Sequence, residues 1–338
     1  MDSVVSLPLL GYVAAAVIAI LYCCNPSAIF KRLLRRNLST GSANQIVFIT
    51  GCDSGLGFSF ALHAHKLGFT VLAGCLQPDG EGSKQLLQLC PERLQVLGLD
   101  ITNETSVMAA VRAVEDMLVE VPDLELRALI NNAGVMIFGE FEWLTEQHIQ
   151  HQINVNLLGT MRITKRFCPM LRKYKGRVIT VTSHCALATL PGLAVYGATK
   201  AGLAAWCDGL RVEQAKYGVR VITFIPGSFI EHSSIMARQL EYAREMEEAM
   251  TSLDHQFFDD YFRRYNQYLS AIPVAARPVP IPNDKLYSLL GEALLSDYPY
   301  SNYECGPFRY KCYHFLMKIS PTWIRDGLVQ RFVKMPEF

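Results

Sequence analysis

Between Asn44 and Ile225, short apolar runs alternate with longer helix-like stretches, and this rhythm constrains the fold more than any other feature. The runs are QIVFIT (Gln45 to Thr50), TVLAG (Thr70 to Gly74), LQVLGLD (Leu94 to Asp100), RALIN (Arg127 to Asn131), RVITVTS (Arg177 to Ser183) and VRVITFI (Val219 to Ile225). They read as buried parallel strands. Joined by amphipathic helices, they predict a doubly wound α/β sheet whose ligand crevice lies outside the strands' carboxyl ends. The 338 residues suit one such domain with appendages.

Half the residues are hydrophobic and the formal charge is only +1, so no long-range field points to nucleic acid or a polyanion. The ten cysteines fall into no paired spacing that would make a disulfide framework or a zinc site, and the histidines show no metal spacing, so no metal is expected. Many unpaired thiols suit a reducing compartment.

The segment VVSLPLLGYVAAAVIAILYCC, Val4 to Cys24, carries no charge and as a helix would span ~30 Å, the thickness of a bilayer core. It predicts a transmembrane anchor. A cleaved signal peptide is the rival reading, but Lys31, Arg32, Arg35 and Arg36 follow the run instead of preceding it. Those cations place the downstream domain on the cytosolic side. Residues 1–43 are therefore read as anchor and basic linker. Glycosylation at the sequons of Asn37 or Asn103 would reveal the opposite orientation.

After the first strand comes TGCDSGLG, Thr50 to Gly57. Its spacing is not G-x-G-x-x-G, but the physics is shared: Gly51 permits the turn, Gly55 lets backbone approach a pyrophosphate, and Gly57 allows close helix packing. The fourth strand ends in NNAG, Asn131 to Gly134, and the fifth at Ser183. Tyr196 stands one helical turn ahead of Lys200 in YGATK. Alone, such a pair is common by chance and reads equally as a solvated Lys near a packed Tyr.

In order and spacing, TGCDSGLG, NNAG, VNLLG, Ser183, YGATK and the PG of Pro226 and Gly227 resemble the short-chain dehydrogenase/reductase family over about residues 45–229. TGCDSGLGFSFA, GFTVLAGCL, INNAG and SPTWIRDGLV look most like its branch of retinol, 17β- and 11β-hydroxysteroid and hydroxybutyrate dehydrogenases. The resemblance implies a Rossmann-type domain over residues 44–338, with a mostly parallel seven-stranded sheet, acting on CH–OH groups. It also implies a homodimer, and that branch contains many membrane-attached enzymes.

A free phenol titrates near 10, and to serve as a base near neutrality it must be stabilised as phenolate by about 4 kcal/mol. An ammonium ~4 to 5 Å away at an effective dielectric near 20 supplies roughly 3 to 4 kcal/mol. Lys200 is therefore expected to tune Tyr196. By resemblance, Tyr196 exchanges the proton with the substrate oxygen, Ser183 hydrogen-bonds that oxygen, and Lys200 also holds the nicotinamide ribose. Asn156 in VNLLG looks like the residue that kinks its helix and holds a relay water; otherwise it is an amide on an ordinary helix surface.

The cofactor set implied is Thr50, Gly51, Asp53, Ser54, Gly55, Leu56, Gly57, Asp100, Ile101, Asn132, Ala133, Gly134, Tyr196, Lys200, Pro226, Gly227 and Phe229. The second strand closes in AGCLQPDG with neither an acidic residue nor an Arg at its tip. Asp53 stands where NADP users often carry a basic residue, and a carboxylate would repel a 2′-phosphate, so NAD is favoured over NADP. The oxidised cytosolic NAD pool then favours alcohol oxidation. Relatives commonly place Thr four residues after the glycine of PG, where Glu231 stands here, so Ser228 would substitute or the loop would shift.

Residues 231–282 fall outside the strand rhythm and are read as a substrate lid and connector, with 283–338 as a C-terminal extension. In HQFFDDYFRRYNQYL, Phe257, Phe258, Tyr261, Phe262, Tyr265 and Leu269 recur at helical spacing. This face either covers a lipophilic alcohol, steroid or retinoid, or docks on the core. IPVAARPVPIP cannot be a helix. The tail of Trp323, Ile324, Leu328, Val329, Phe332 and Val333, opposed by Arg325, Gln330, Arg331 and Lys334, could lie on a membrane or cap a partner subunit. His184 beside Ser183 invites a hydrolase reading, which the opposite faces of adjacent strand residues exclude.

The expectation is a membrane-anchored NAD-dependent dehydrogenase of lipophilic alcohols, placed at the endoplasmic reticulum or a mitochondrial membrane. Its alternatives are an NADPH-linked carbonyl reductase and a nucleotide-binding scaffold without turnover.

Overall fold

The computed structural model describes residues 40–332 and 335–338. The Val4–Cys24 run and its flanking cations, Asn37, Val333 and Lys334 lie outside the described residues. Among the described residues no helix is long and apolar enough to cross a membrane.

The strand rhythm is realised as β1 (Gln45–Thr50), α1 (Gly55–Lys66), β2 (Thr70–Cys75), α2 (Glu81–Leu89), β3 (Leu94–Gly98), α3 (Glu104–Glu120) and β4 (Glu125–Asn131). There follow α4 (Glu146–Gln152), α5 (Thr160–Lys173), β5 (Arg177–Val181), α6 (Ala194–Ala215) and β6 (Arg220–Ile225). The six strands were legible in the sequence to within two residues at nearly every end. The seventh was not located there: β7 (Asn302–Glu304) comes after α7 (Gln239–Ala249), α8 (Ser252–Ser270) and α9 (Asp284–Leu295). Two further helices, α10 (Phe308–Ile319) and α11 (Thr322–Phe332), follow it.

The strands lie in the order β3-β2-β1-β4-β5-β6-β7, and every pairing is parallel. Alternation divides the core between the two faces. Val47 and Ile49 of β1 pack with α1 and α9 residues such as Phe58, Ala61 and Leu290, whereas Ile46 and Phe48 pack with Val111, Ile163 and Phe167 of α3 and α5. Strand order reverses at β1 and β4, so the crevice opens beyond their carboxyl ends.

The C-terminal extension is part of this sheet. Arg127 donates from Nε and Nη2 to the Leu294 carbonyl at 3.1 and 3.0 Å, and buried Arg177 donates to the carbonyls of Ala293 and Ser296. Cations thus satisfy the orphan carbonyls at the end of α9 and fix the approach to β7. The proline-rich connector stays extended and crosses α1, where the Ile281 amide donates to Ser59 Oγ at 3.0 Å.

Candidate active site

The glycine-rich turn between β1 and α1 is drawn tight by its glycines. Gly51 (φ 70°) and Gly55 (φ 58°) adopt left-handed conformations, and a Cβ on Gly57 would lie 2.0 Å from the Gly51 carbonyl oxygen. Asn132 at the end of β4 stitches the turn, its Nδ2 donating to the carbonyls of Thr50 and Gly51 at 2.9 Å each. Thr50 Oγ1 in turn accepts from the amides of Asn132 and Ala133 at 3.0 Å. Ser54 stands at the N-cap position of α1 without a side-chain bond to the helix, and Leu56 is half-buried against the core.

Asp53 reaches out of the turn to the tip of β2, where its carboxylate accepts from the amides of Leu76 at 3.0 Å and Gln77 at 2.8 Å. The negative charge that the second strand lacks is thus supplied by the glycine-rich turn, which its sequence position concealed. Asp100, after β3, accepts from the Thr102 amide and hydroxyl, while buried Ile101 supports Gly159.

Asn156 sits in a turn of π-helix, Ile153–Gly159, between α4 and α5, and is fully buried. It is no ordinary helix-surface amide. Its Nδ2 donates to the Val135 carbonyl and its Oδ1 accepts from the Val135 amide, both at 2.8 Å, which fixes the loop following NNAG. Nδ2 also donates to Thr199 Oγ1 at 3.1 Å, and Thr199 in turn donates to the Tyr196 carbonyl. A Cβ added to Gly134 would lie 3.2 Å from Asn156 Oδ1 and 3.5 Å from Lys200 Nζ, so glycine is what allows these groups to converge.

Tyr196 and Lys200 are both buried on α6. Lys200 Nζ donates to the Val181 carbonyl at the end of β5 at 3.2 Å and lies 5.7 Å from the centre of the Tyr196 ring. Burial depresses the ammonium to about 8, a cost left uncompensated by any carboxylate among its interactions. Burial also pushes the Tyr196 phenol above its ordinary value, an effect that the hydrogen bond of Ser183 partly offsets. This corrects the expectation that Lys200 does most of the tuning of the phenol: in the unliganded protein desolvation is the larger influence, and Tyr196 carries its proton near neutrality.

Ser183 is not in strand β5. It caps a short 3-10 turn, His184–Ala186, and its Oγ accepts from the Cys185 amide at 3.1 Å. The hydrolase pair still fails, because the His184 ring stacks on His314, with centroids 4.9 Å apart.

Beyond β6, Pro226 is buried, and Phe229 packs beside Gly227. The chain then turns through Ile230–His232, which leaves Glu231 and Ser228 exposed. It descends onto the glycine-rich turn, where Ser234 Oγ meets Ser54 Oγ at 2.6 Å and a Cβ on Gly55 would lie 2.6 Å from that of Ser233. Sequence reasoning missed these two serines.

Above the site, Tyr196, Val195 and Leu193 join an apolar cluster with Met236, Met246, Trp143 and the buried face of α8. Trp143 meets Phe258, Tyr261, Phe262 and Tyr265 edge-on, with centroids 5.1–5.8 Å apart. The aromatic face of α8 therefore docks on this cluster and through it roofs Tyr196.

A proton-bearing phenol, an ammonium without a carboxylate partner and a glycine-bounded crevice thus lie at one edge of a doubly wound α/β sheet. The family model for short chain dehydrogenase matches residues 45–240. Mitochondrial D-beta-hydroxybutyrate dehydrogenase of Mus musculus is 34% identical over 267 residues, covering 78% of this chain and 77% of the relative. Retinol dehydrogenase 7 of Rattus norvegicus is 30% identical over 300 residues, covering 88% and 92%. Human 17-beta-hydroxysteroid dehydrogenase type 2 is 32% identical over 292 residues, covering 84% and 73%. A short-chain dehydrogenase structure from Streptomyces avermitilis superposes with a TM-score of 0.62 at 21% identity, covering 85% and 95%. The chain belongs to the short-chain dehydrogenase family and is an oxidoreductase dependent on a nicotinamide cofactor.

Proposed function

We propose that the chain is an NAD-linked dehydrogenase of lipophilic secondary or allylic alcohols of the steroid or retinoid class. One observation carries the reading: Ser183, Tyr196, Lys200 and Asn156 converge at the crevice under an apolar and aromatic roof.

The residues present fit the dinucleotide. Gly51, Gly55 and Gly57 clear a backbone cradle at the positive end of α1, and Asn132 and Gly134 would flank its sugar. When bound, the nicotinamide accepts or supplies the hydride. Tyr196 moves the proton at the substrate oxygen, Ser183 orients that oxygen, and Lys200 stabilises the phenolate as it forms. Asn156 holds the strand-end loop and the α6 backbone in register. The Asp53 carboxylate at the tip of β2 supports NAD, since a 2′-phosphate there would meet a like charge.

Membrane attachment is supported by the sequence of the amino end and by exposed Phe308, Phe315, Ile319 and Trp323 on the terminal helices. A homodimer is supported by an apolar groove of about 350 Å³ lined by Phe141, Ile149, Ile153, Leu157, Val195 and Ala198.

The test is a screen of lipid alcohols with NAD, followed by nicotinamide absorbance, on the wild type and Tyr196→Phe. The variant is expected to bind NADH as the wild type does and to lose ~100-fold or more of its turnover. Unchanged turnover would remove Tyr196 from the chemistry, and wild-type inactivity with every alcohol would leave the scaffold reading.

A further inference from the structure

Three side chains far apart in sequence meet on the same edge of the sheet as the catalytic serine. His184 follows Ser183, Glu304 ends β7, and His314 projects from the inner face of α10. One ligand atom from each falls within 4.8 Å of the others. Glu304 Oε1 lies 3.5 Å from His314 Nδ1 and 3.9 Å from His184 Nδ1. All three of these atoms are buried, and none makes a hydrogen bond of ordinary length.

Such a cluster is costly by itself, because buried polar atoms are normally satisfied. Two imidazoles and a carboxylate are a donor set suited to zinc, whose bonds of ~2.0–2.2 Å place tetrahedral ligands about 3.3 Å apart. The two separations from Glu304 Oε1, 3.5 and 3.9 Å, need a few tenths of an ångström of closure, and the histidine pair, within 4.8 Å, needs up to about 1.5 Å, within reach of a turn of the two imidazoles about their side-chain bonds. A cavity of about 540 Å³, lined by Gly227, Cys305, Gly306 and Tyr310, lies alongside, and the Tyr310 ring packs edge-on against His184 at 5.0 Å.

We propose that His184, Glu304 and His314 form a binding site for a divalent transition-metal ion, zinc in the first instance, with a fourth position open to water. The site is a clasp. It ties the C-terminal helix α10 to the turn that carries Ser183 and to β7, whose Glu304 pairs in register with Ile225 just ahead of Pro226 and Gly227. The ion's role is to hold the serine turn and the extension together, without contact with the substrate.

The full chain, stripped with a chelator and dialysed, is titrated with zinc and separately with cobalt(II). About one ion per chain is expected to be retained at micromolar free metal, with the visible bands of four-coordinate cobalt, a raised melting temperature and slower proteolysis within α10. Glu304→Gln preserves shape and His314→Ala removes a ligand; each is expected to weaken retention by ~10-fold or more and to abolish the cobalt bands. The proposal fails if the wild type retains no ion, if cobalt shows only octahedral spectra, or if Glu304→Gln, folded by circular dichroism, binds as the wild type does.

Discussion

The lysine of the site is a liability until cofactor and substrate arrive. Burial holds Lys200 at about 8, below its ordinary 10.5. Below pH 8 the native state carries the buried charge at full cost; between about 8 and 10.5 the unfolded chain binds the extra proton, so stability rises with pH, and above that range the cost is gone. The cost near pH 7 is about 3 kcal/mol. Lys200→Met is therefore expected to be inactive yet more stable than the wild type without cofactor at pH 7, by ~2 to 3 kcal/mol, a gain that shrinks below ~1 kcal/mol at pH 10. Denaturant melts at the two pH values check this, and a variant less stable at pH 7 would refute it. Asp53 supports a second residue-level expectation. With its carboxylate bonded to the Leu76 and Gln77 amides, Asp53→Ser is expected to lower the NAD-over-NADP preference by ~10-fold or more, as read by NADH and NADPH fluorescence titrations.

At the scale of elements, the same substitution changes sign with its surroundings. A Cβ on Gly57 would meet the Gly51 oxygen at 2.0 Å and Asn132 Nδ2 at 2.5 Å, so the cradle must open. A Cβ on Gly209 of α6 meets nothing within 4 Å. Gly57→Ala is expected to cost ~1 to 3 kcal/mol and weaken NADH binding, whereas Gly209→Ala is expected to gain up to ~1 kcal/mol with binding unchanged. Thermal melts and cofactor titrations on both variants decide it. These elements also show what sequence alone carries. Five of the six strands were legible because an apolar run covered on both faces leaves an unbroken signature, whereas β3, at the sheet's edge with Gln95 and Gly98 exposed, was legible from its Leu and Val residues alone; Tyr196, Lys200 and Ser183 were singled out through the resemblance of their motifs to a known family. β7 was not legible, since three residues carry no periodicity; nor was the reach of Asp53 to β2, which depends on a tertiary contact. Asn103, read as a sequon, is the N-cap of α3, its Oδ1 accepting from the Thr105 and Ser106 amides.

At the scale of the whole molecule, α10 is two-faced. Tyr310, His314 and Met317 turn inward, while Phe308, Phe315 and Ile319 point to solvent, continued by Trp323 of α11. A monomer in water gains nothing from such a stripe, and its inward face adjoins the turn of Ser183, so a bilayer in contact with it would lie close to the crevice where the proposed lipophilic alcohol would enter. The amino-terminal apolar run would mask this contribution, so the measurement uses a chain beginning at Thr40, which keeps the Ala43 carbonyl that accepts from Thr70 Oγ1 at 2.6 Å. Half-burial of three large apolar side chains is worth about 3 kcal/mol, or roughly a hundredfold in partitioning. In this shortened chain, Phe315→Ser, Ile319→Ser and Trp323→Ser together are expected to reduce co-sedimentation with phosphatidylcholine vesicles by ~10-fold or more while leaving NADH binding intact. Unchanged sedimentation, or a loss of dimer in its place, would assign the stripe to a second subunit instead of the membrane.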